Sequence, residues 1–361
     1  MLLHGRIAAA AAAAATALLT GQAAAQTYSD CNPLEATCSA DTALGMTIDI
    51  DFTQGEVNSF STSGGTPTYS STDGVTFTVA ESGDAPQLNS LFYIMFGRVE
   101  FELKAAPGAG IVSSLVLQSD DLDEIDMEWL GADTYQVATN YFGKGQVTTY
   151  NRGEWNPAAG CQDGFIKYTI DWTSERIVWM VADTAVRTLT SADAETDQYP
   201  QTPMQVKFGA WSGGDSSNSA GTISWARGPT DYTQGPFSMS IRNMVITDYS
   251  TGSSYSYGDT SGDWTSITSS GGTINGNLNG AGSLTVTATA GSTATASVPA
   301  GALGSSTNTV SATLPSGWVM TSSGKVVPSA SSEMRPPHLL LLVGPVTFAI
   351  LASLSGSWRR P

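Results

Sequence analysis

The chain has 361 residues, 13% of them charged, and a formal net charge of −17. That length admits one large domain with appendages, and so acidic a chain excludes nucleic acid and anionic membrane surfaces as natural partners. The acidity is concentrated: residues 26–258 hold ten Lys/Arg against twenty-nine Asp/Glu, a surface that suits solubility outside the cell and is indifferent to neutral polysaccharide.

Residues 1–25 read as a signal peptide, with Arg6 as a weak basic region, an Ala-rich apolar run from Ile7 to Leu19 and a small-residue cleavage site at Ala23-Ala24-Ala25. A mature start near Gln26 places the protein in an oxidising, extracellular compartment. Cys31 and Cys38 flank a short Pro-containing loop, where a local disulfide ties down the N-terminal segment with a modest gain in stability. The third cysteine, Cys161, is left as a buried thiol. Both histidines fall outside the core, His4 in the leader and His338 in the tail. A Cys/His zinc site and a Ser-His-Asp triad are therefore not expected, and no cofactor is called for.

From residue 26 to 258 short alternating runs are bounded by Gly, Pro, Asn, Asp and Ser, with no long stretch at helical period. This pattern predicts an all-β sandwich. The expected strands are Thr47–Asp51, Val75–Val79, Arg98–Lys104, Ser113–Gln118, Glu124–Trp129, Tyr135–Tyr141, Ile166–Asp171, Arg176–Ala182, Met204–Ala210, Thr222–Ala226 and Ser238–Asp248. So many strands in one domain suit a two-sheet jelly roll.

One of these strands differs from the rest. In Glu124-Ile-Asp-Met-Glu-Trp129 the carboxylates Glu124, Asp126 and Glu128 alternate with Ile125, Met127 and Trp129. Period two sends the acids to one face and the apolar groups to the other. A row of like charges with no base within the strand is costly, and the cost makes sense at a working site. Glycoside cleavage uses one carboxylate as nucleophile and one carboxylic acid as proton donor, roughly 5–5.5 Å apart in retaining enzymes. The Cα atoms of Glu124 and Glu128 are roughly 13 Å apart on an extended strand, a gap that leaning side chains on a twisted, concave sheet largely close. Asp126 between them assists the nucleophile and keeps the protonation states of its neighbours apart. The alternatives are an acidic solvent-facing strand or a calcium site.

The run Glu-Ile-Asp-Met-Glu resembles the Glu-x-Asp-x-Glu signature of glycoside hydrolase family 16. The wider run from Gly110 to Gly131, together with Asn140 to Gly145, Trp211 to Asp215 and Gly221 to Trp225, is similar to the fungal Crh-type cell-wall transglycosylases, which join chitin to β-glucan. The resemblance covers roughly residues 28–257. It implies a concanavalin-like jelly roll of two antiparallel sheets, with the carboxylate strand lining a cleft on the concave sheet. It also implies Glu124 as nucleophile, Glu128 as acid and base, and donor-sugar contacts at Glu128, Lys207, Trp211 and Thr222. Gln118, Asn140, Tyr141, Lys144 and Arg152 are further cleft candidates by motif. Met127 departs from the resemblance, since the family often has Trp there, but Met still fits a core face.

Sugar rings present apolar C–H faces to flat aromatic platforms. Trp211 closes a strand before a Gly-rich loop and is the better platform; Trp225 is a second candidate. Trp129, Trp172 and Trp179 read as core.

From Asp259 the chain changes character. Residues 259–332 are dominated by Ser, Thr, Gly and Ala, with no Lys or Arg from Asn243 through Gly324. Such a segment reads as a flexible, O-glycosylated stalk, with a small alternating stretch over Ser283–Val298 that suits a β piece. Residues 333–361 hold the apolar run 339–354 behind a polar spacer, the order of a GPI-attachment signal. Arg359 and Arg360 after the run suit a single-pass anchor instead.

Three functions compete at this stage. One is a monomeric, wall-associated retaining transglycosylase that cleaves chitin and transfers it to β-glucan, with some chitinase activity. Another is a plain β-glucan or chitin hydrolase on the same residues. The third is a non-catalytic carbohydrate-binding surface protein.

Overall fold

The computed structural model describes residues 29–278, apart from Asn58 and Thr148, and beyond them the strand backbones Thr285–Ala288, Trp318–Met320 and Val326–Pro328. The expected leader over 1–25, most of the stalk and the tail over 333–361 lie outside the described residues. The architecture is the expected all-β jelly roll. A seven-stranded antiparallel sheet runs in the order Glu154–Pro157, Gln136–Phe142, Glu124–Leu130, Ile111–Ser119, Met204–Ser212, Gln87–Ile94, Phe60–Ser63. The facing sheet runs Thr184–Thr190, Arg176–Val181, Ile166–Trp172, Gly97–Lys104, Phe237–Asp248, Thr47–Asp51. The backbone of Thr285–Ala288 continues it, parallel to Thr47–Asp51.

Alternation decides which side chains go between the sheets. Ile125, Met127 and Trp129 are fully buried on the inner face of the carboxylate strand. Trp129 packs edge-on against Tyr168 at 4.7 Å and Phe101 at 6.1 Å from the facing sheet. Met127 thus occupies the core position expected of it. Trp172 and Trp179 are core residues as well. Phe52, Phe60, Phe77 and Phe208 fill the far end of the sandwich with tilted and edge contacts. Ile111–Ser119 is central, and its residues are buried on both faces.

The turn before the carboxylate strand fixes its register. Ser119 and Asp123 close the hairpin with Ser119 N to Asp123 O at 3.0 Å and Asp123 N to Ser119 Oγ at 2.8 Å. Leu122 takes the left-handed conformation at φ 67°, a backbone cost that the surrounding bonds outweigh. Asp121 and Asp123 are buried and share the Thr202 hydroxyl at 2.7 and 2.9 Å. Asp123 also accepts from the amides of Lys144 at 2.9 Å and Gln201 at 2.7 Å. Two loops, at Lys144 and at Gln201 and Thr202, are therefore pinned to one turn, and Gln118 stands directly opposite Glu124.

Two expectations need correction. Thr222–Ala226 is not a strand: Ala220–Trp225 is a short α-helix, capped by Ser219, whose side chain accepts from the Thr222 amide at 3.2 Å. Five residues are also little more than one helical turn, and the cap decides between strand and helix. Packing also continues past residue 258. Ile267–Ser270 pairs with Ser254–Tyr257, Ile267 is buried, and Trp264 meets Phe96 at 5.9 Å. Trp264 and Ile267 supply apolar surface that the Ser/Thr-rich average hides. The strands Gln87–Ile94, Thr184–Thr190 and Glu154–Pro157 were not among those expected. Cys31 and Cys38 form a disulfide, and Cys161 is a buried free thiol whose pKa burial pushes up to about 11.

Candidate active site

Cross-strand register sets out the concave face as rows. One row runs Gln205, Gln118, Glu124, Phe142; the next Lys207, Val116, Asp126, Asn140; the third Gly209, Ser114, Glu128, Ala138, Trp155. The three acids therefore stand at the centre of the sheet on consecutive rows, over a cleft of about 320 Å³. Gly209, Trp211, Asn218, Thr222, Asn140 and Phe142 form its walls.

Glu124 accepts from Gln118 Nε2 at 3.1 Å, and Gln118 Oε1 accepts from Lys207 Nζ at 2.7 Å. Gln118 is buried, so its amide works on the carboxylate in a water-poor wall. Lys207 lies within the same network. Burial lowers its pKa, against the opposing charges of Glu124 and Asp120.

Burial dominates the titration of the two other acids. It pushes the Asp126 carboxyl up to about 7, against the pull of the Arg187 charge and a hydrogen bond with Glu124. Glu128 is held well above the ordinary carboxylate range by burial and then by the charges of Asp126 and Glu124. Glu128 nevertheless keeps an edge open to the cleft. An acid whose protonated form is favoured by burial and that faces the cleft, beside a second carboxyl held by an amide donor, is the arrangement that acid-assisted glycoside cleavage requires.

Trp211 is half-buried and stacks on Trp225 at 6.3 Å with an 18° tilt. Both rest on a small apolar cluster of Val112, Leu130 and Ala226. The short helix thus brings Trp225 beside Trp211 and buries Thr222 in the cleft wall.

Three motif candidates fall away from the cleft. Asn140 and Tyr141 are consecutive on one strand and cannot share a face: Asn140 meets the cleft, while Tyr141 joins the core and its hydroxyl accepts from Glu195 N at 3.2 Å. Arg152 is buried, donates to the carbonyls of Gln146 at 2.9 Å and Thr149 at 2.7 Å, and lies over the Phe142 ring at 4.5 Å. It closes a loop. Lys144 turns its ammonium toward Asp263 at 3.8 Å.

Sequence reasoning missed Arg187. Its guanidinium is buried beneath the carboxylate strand, donates to Thr139 O at 2.7 Å and Arg152 O at 2.7 Å, and covers the Trp179 ring at 4.7 Å. Trp179 in turn donates to the Asp126 carbonyl at 3.2 Å. No local pattern marks this residue. A lone basic residue in the alternating run Thr184–Thr190 is the single signal.

Residues 55–227 match the family described as glycosyl hydrolases family 16. The chain is 58% identical over 365 residues to Crh-like protein 4 of Botryotinia fuckeliana, covering 94% of this chain and 96% of that protein. It is 47% identical over 247 residues to Congo red hypersensitive protein 1 of Saccharomyces cerevisiae, covering 68% of this chain and 48% of that protein. Among solved structures it is similar to a Crh5 transglycosylase in complex with NAG, at 48% identity and a TM-score of 0.65, covering 66% of this chain and 99% of that one.

Proposed function

The chain belongs to the Crh-like proteins of glycosyl hydrolases family 16, and we propose that it is a retaining transglycosylase that cleaves chitin and passes the new end to β-glucan. The observation that carries this reading is the line of three acids that one strand presents to the cleft, with burial favouring the protonated form of Glu128. Glu124 attacks the anomeric carbon while Glu128 gives its proton to the departing glycosidic oxygen. The glycosyl group is then held as an ester on Glu124. Glu128, now a carboxylate, takes the proton of an incoming sugar hydroxyl, whose oxygen displaces Glu124. Asp126 stands beside Glu124 on the same face of the strand and assists it.

Lys207, Trp211 and Thr222 contact the donor in this reading, with Gln118 and Asn140 beside them. The NAG bound by the Crh5 relative supports an N-acetylglucosamine polymer as donor. The leader and tail sequences support a protein secreted to the cell wall and held at the outer face of the plasma membrane by a GPI anchor; we take it to act as a monomer.

The test mixes the secreted protein with chitin oligosaccharides and a fluorescent β-1,3-glucan oligosaccharide. Larger labelled products from wild type, absent with Glu124→Gln and Glu128→Gln, are expected. Shortened chitin with no labelled adduct would reduce the activity to hydrolysis, and no change in either sugar from folded protein would overturn the enzyme reading.

A further inference from the structure

A second pocket of about 190 Å³ adjoins the main cleft. It is lined by Glu128, Ala138, Asn140, Tyr150, Trp155 and Trp225, among others, and neither Glu124 nor Asp126 is in its wall. Glu128 and Asn140 belong to both cavities. A sugar in this pocket therefore meets the acid–base carboxyl and not the nucleophile. That is where a leaving group departs and where an incoming hydroxyl must be deprotonated.

The row of the sheet explains the shape. Glu128, Ala138 and Trp155 lie side by side on adjacent strands. At about 4.8 Å per strand, Trp155 is about 10 Å from Glu128, and the small Ala138 between them leaves a notch of sugar-ring width. Trp155 is 40% exposed, unusual for an indole.

Trp155 is nevertheless held. The Arg227 guanidinium lies 5.3 Å from its ring centroid. Arg227 is itself fixed by Asp133, with Nη1 to Oδ2 at 2.7 Å. Asp133 is buried, and its other oxygen accepts from the Tyr135 amide at 2.9 Å. Arg227 stands two residues after the helix that supplies Trp225, with φ 57°. One short helix thus furnishes one aromatic wall of the pocket and braces the other. A fixed ring loses little freedom when a sugar stacks on it.

The lining also selects by charge. It carries the carboxylate of Glu154 and the amide of Asn140, and no Lys or Arg. Aromatic faces with hydrogen-bonding oxygens suit a neutral, hydroxylated pyranose chain.

We propose that Trp155, braced by Arg227 and Asp133, is the platform for the acceptor β-glucan chain and sets the share of transfer against hydrolysis. The proposal rests on the transglycosylase reading above. Both fates start from the ester on Glu124. In transfer the acceptor oxygen bonds to the anomeric carbon, the bond to Glu124 breaks with its electron pair returning to the carboxylate, and Glu128 takes the hydroxyl proton. In hydrolysis water supplies the oxygen instead. A stacked acceptor raises the local concentration of its hydroxyl over that of water, so loss of the platform shifts the ratio.

The experiment incubates full-length protein with a chitin oligosaccharide and a labelled β-1,3-glucan oligosaccharide, and counts labelled adduct against new reducing ends. Trp155→Ala is expected to lower the ratio of transfer to hydrolysis about tenfold and to raise the half-saturating acceptor concentration to match. Trp155→Phe should retain most of the ratio, and Arg227→Met should fall between them, with thermal melting confirming that each variant folds. Adduct in wild type with an unchanged ratio in Trp155→Ala and Arg227→Met overturns this inference alone. A wild type that cleaves the donor and forms no adduct overturns the transfer reading and this inference with it.

Discussion

Gln118 faces Glu124 directly across two neighbouring strands and donates to it at 3.1 Å, so the nucleophile is held by a group that the hairpin register places there. The amide's oxygen is occupied by Lys207 at 2.7 Å, which turns the NH₂ end toward the carboxylate. A donor to the carboxylate favours its charged form, the form that attacks, while burial favours the protonated form of Glu128. A hydrogen bond to a charged group is worth about 1.5–3 kcal/mol, or about 10–100-fold in rate. Gln118→Met should lower kcat/KM on chitin oligosaccharides by that factor while the melting temperature shows a folded protein. A folded variant with the wild-type rate would remove Gln118 from the machinery.

The alternation from Glu124 to Trp129 was legible because a strand charged on one face and apolar on the other leaves an unambiguous two-residue period. The same parity rule, applied to Asn140 and Tyr141, already tells that one of the pair must face the core. What the chain does not spell out locally is sheet neighbourhood. Trp155 joins the row of Glu128 only because Ala138 lies between them in the folded sheet, and Arg187 reaches the underside of Asp126 from the other sheet. Lys207 was readable through resemblance alone, since nothing in its own strand says which faces of the sheet are occupied, whereas Trp211 was also marked by its place at a strand end before a Gly-rich loop. The helix under Trp225 is too short to show a period, and the Ser219 cap is a weak signal within a Ser-rich loop.

The dependence of rate on pH should report the acid pair. Glu128 is the proton donor and must be protonated for the first step, so the rate falls as pH rises through its elevated pKa. After burial, the charge of Asp126 is the largest cause of that elevation. Asp126→Asn removes this charge. The alkaline limb of the pH–rate profile should therefore move to lower pH, whatever the loss in maximal rate. An alkaline limb that stays in place would mean that Asp126 does not set the protonation of Glu128.

Stability should fall from mildly acidic to mildly alkaline pH. Burial pushes Asp41 up to about 8, with the Asp120 and Asp121 charges adding to it, and pushes Asp126 and Asp248 up to about 7. In the unfolded chain these groups titrate near their ordinary 3.8. Between that value and 7–8 the folded state holds more protons than the unfolded one, so stability declines as pH rises and levels off above the window. Asp231, held down by hydrogen bonds from the Thr233 hydroxyl and amide, acts oppositely, and its contribution is lost as pH falls below its unfolded value. Melting temperatures read from pH 4 to 9 should peak on the acidic side. Asp41→Asn should raise the value at pH 8 by roughly 3 °C and leave it nearly unchanged at pH 4.

Arg187 ties the two sheets together beneath the acids, and its loss should be felt in stability and in titration. It donates to Thr139 O at 2.7 Å, Thr139 Oγ1 at 3.1 Å and Arg152 O at 2.7 Å, and its Nε lies 3.5 Å from Glu154. Its ring contacts are Trp179 and Tyr141. Arg187→Met keeps the stem and leaves buried carbonyls without donors, at about 1–3 kcal/mol for each. The melting temperature should drop by roughly 5–12 °C. The charge matters separately, because it opposes the burial that raises Asp126. Without it the Asp126 carboxyl rises further, and the limb of the pH–rate profile that Asp126 contributes should move to higher pH. Arg187→Lys retains a charge but not the fork, so it should lose stability while moving that limb less. If both variants lose stability equally and neither moves the limb, Arg187 is a packing residue and its charge has no part in tuning the site.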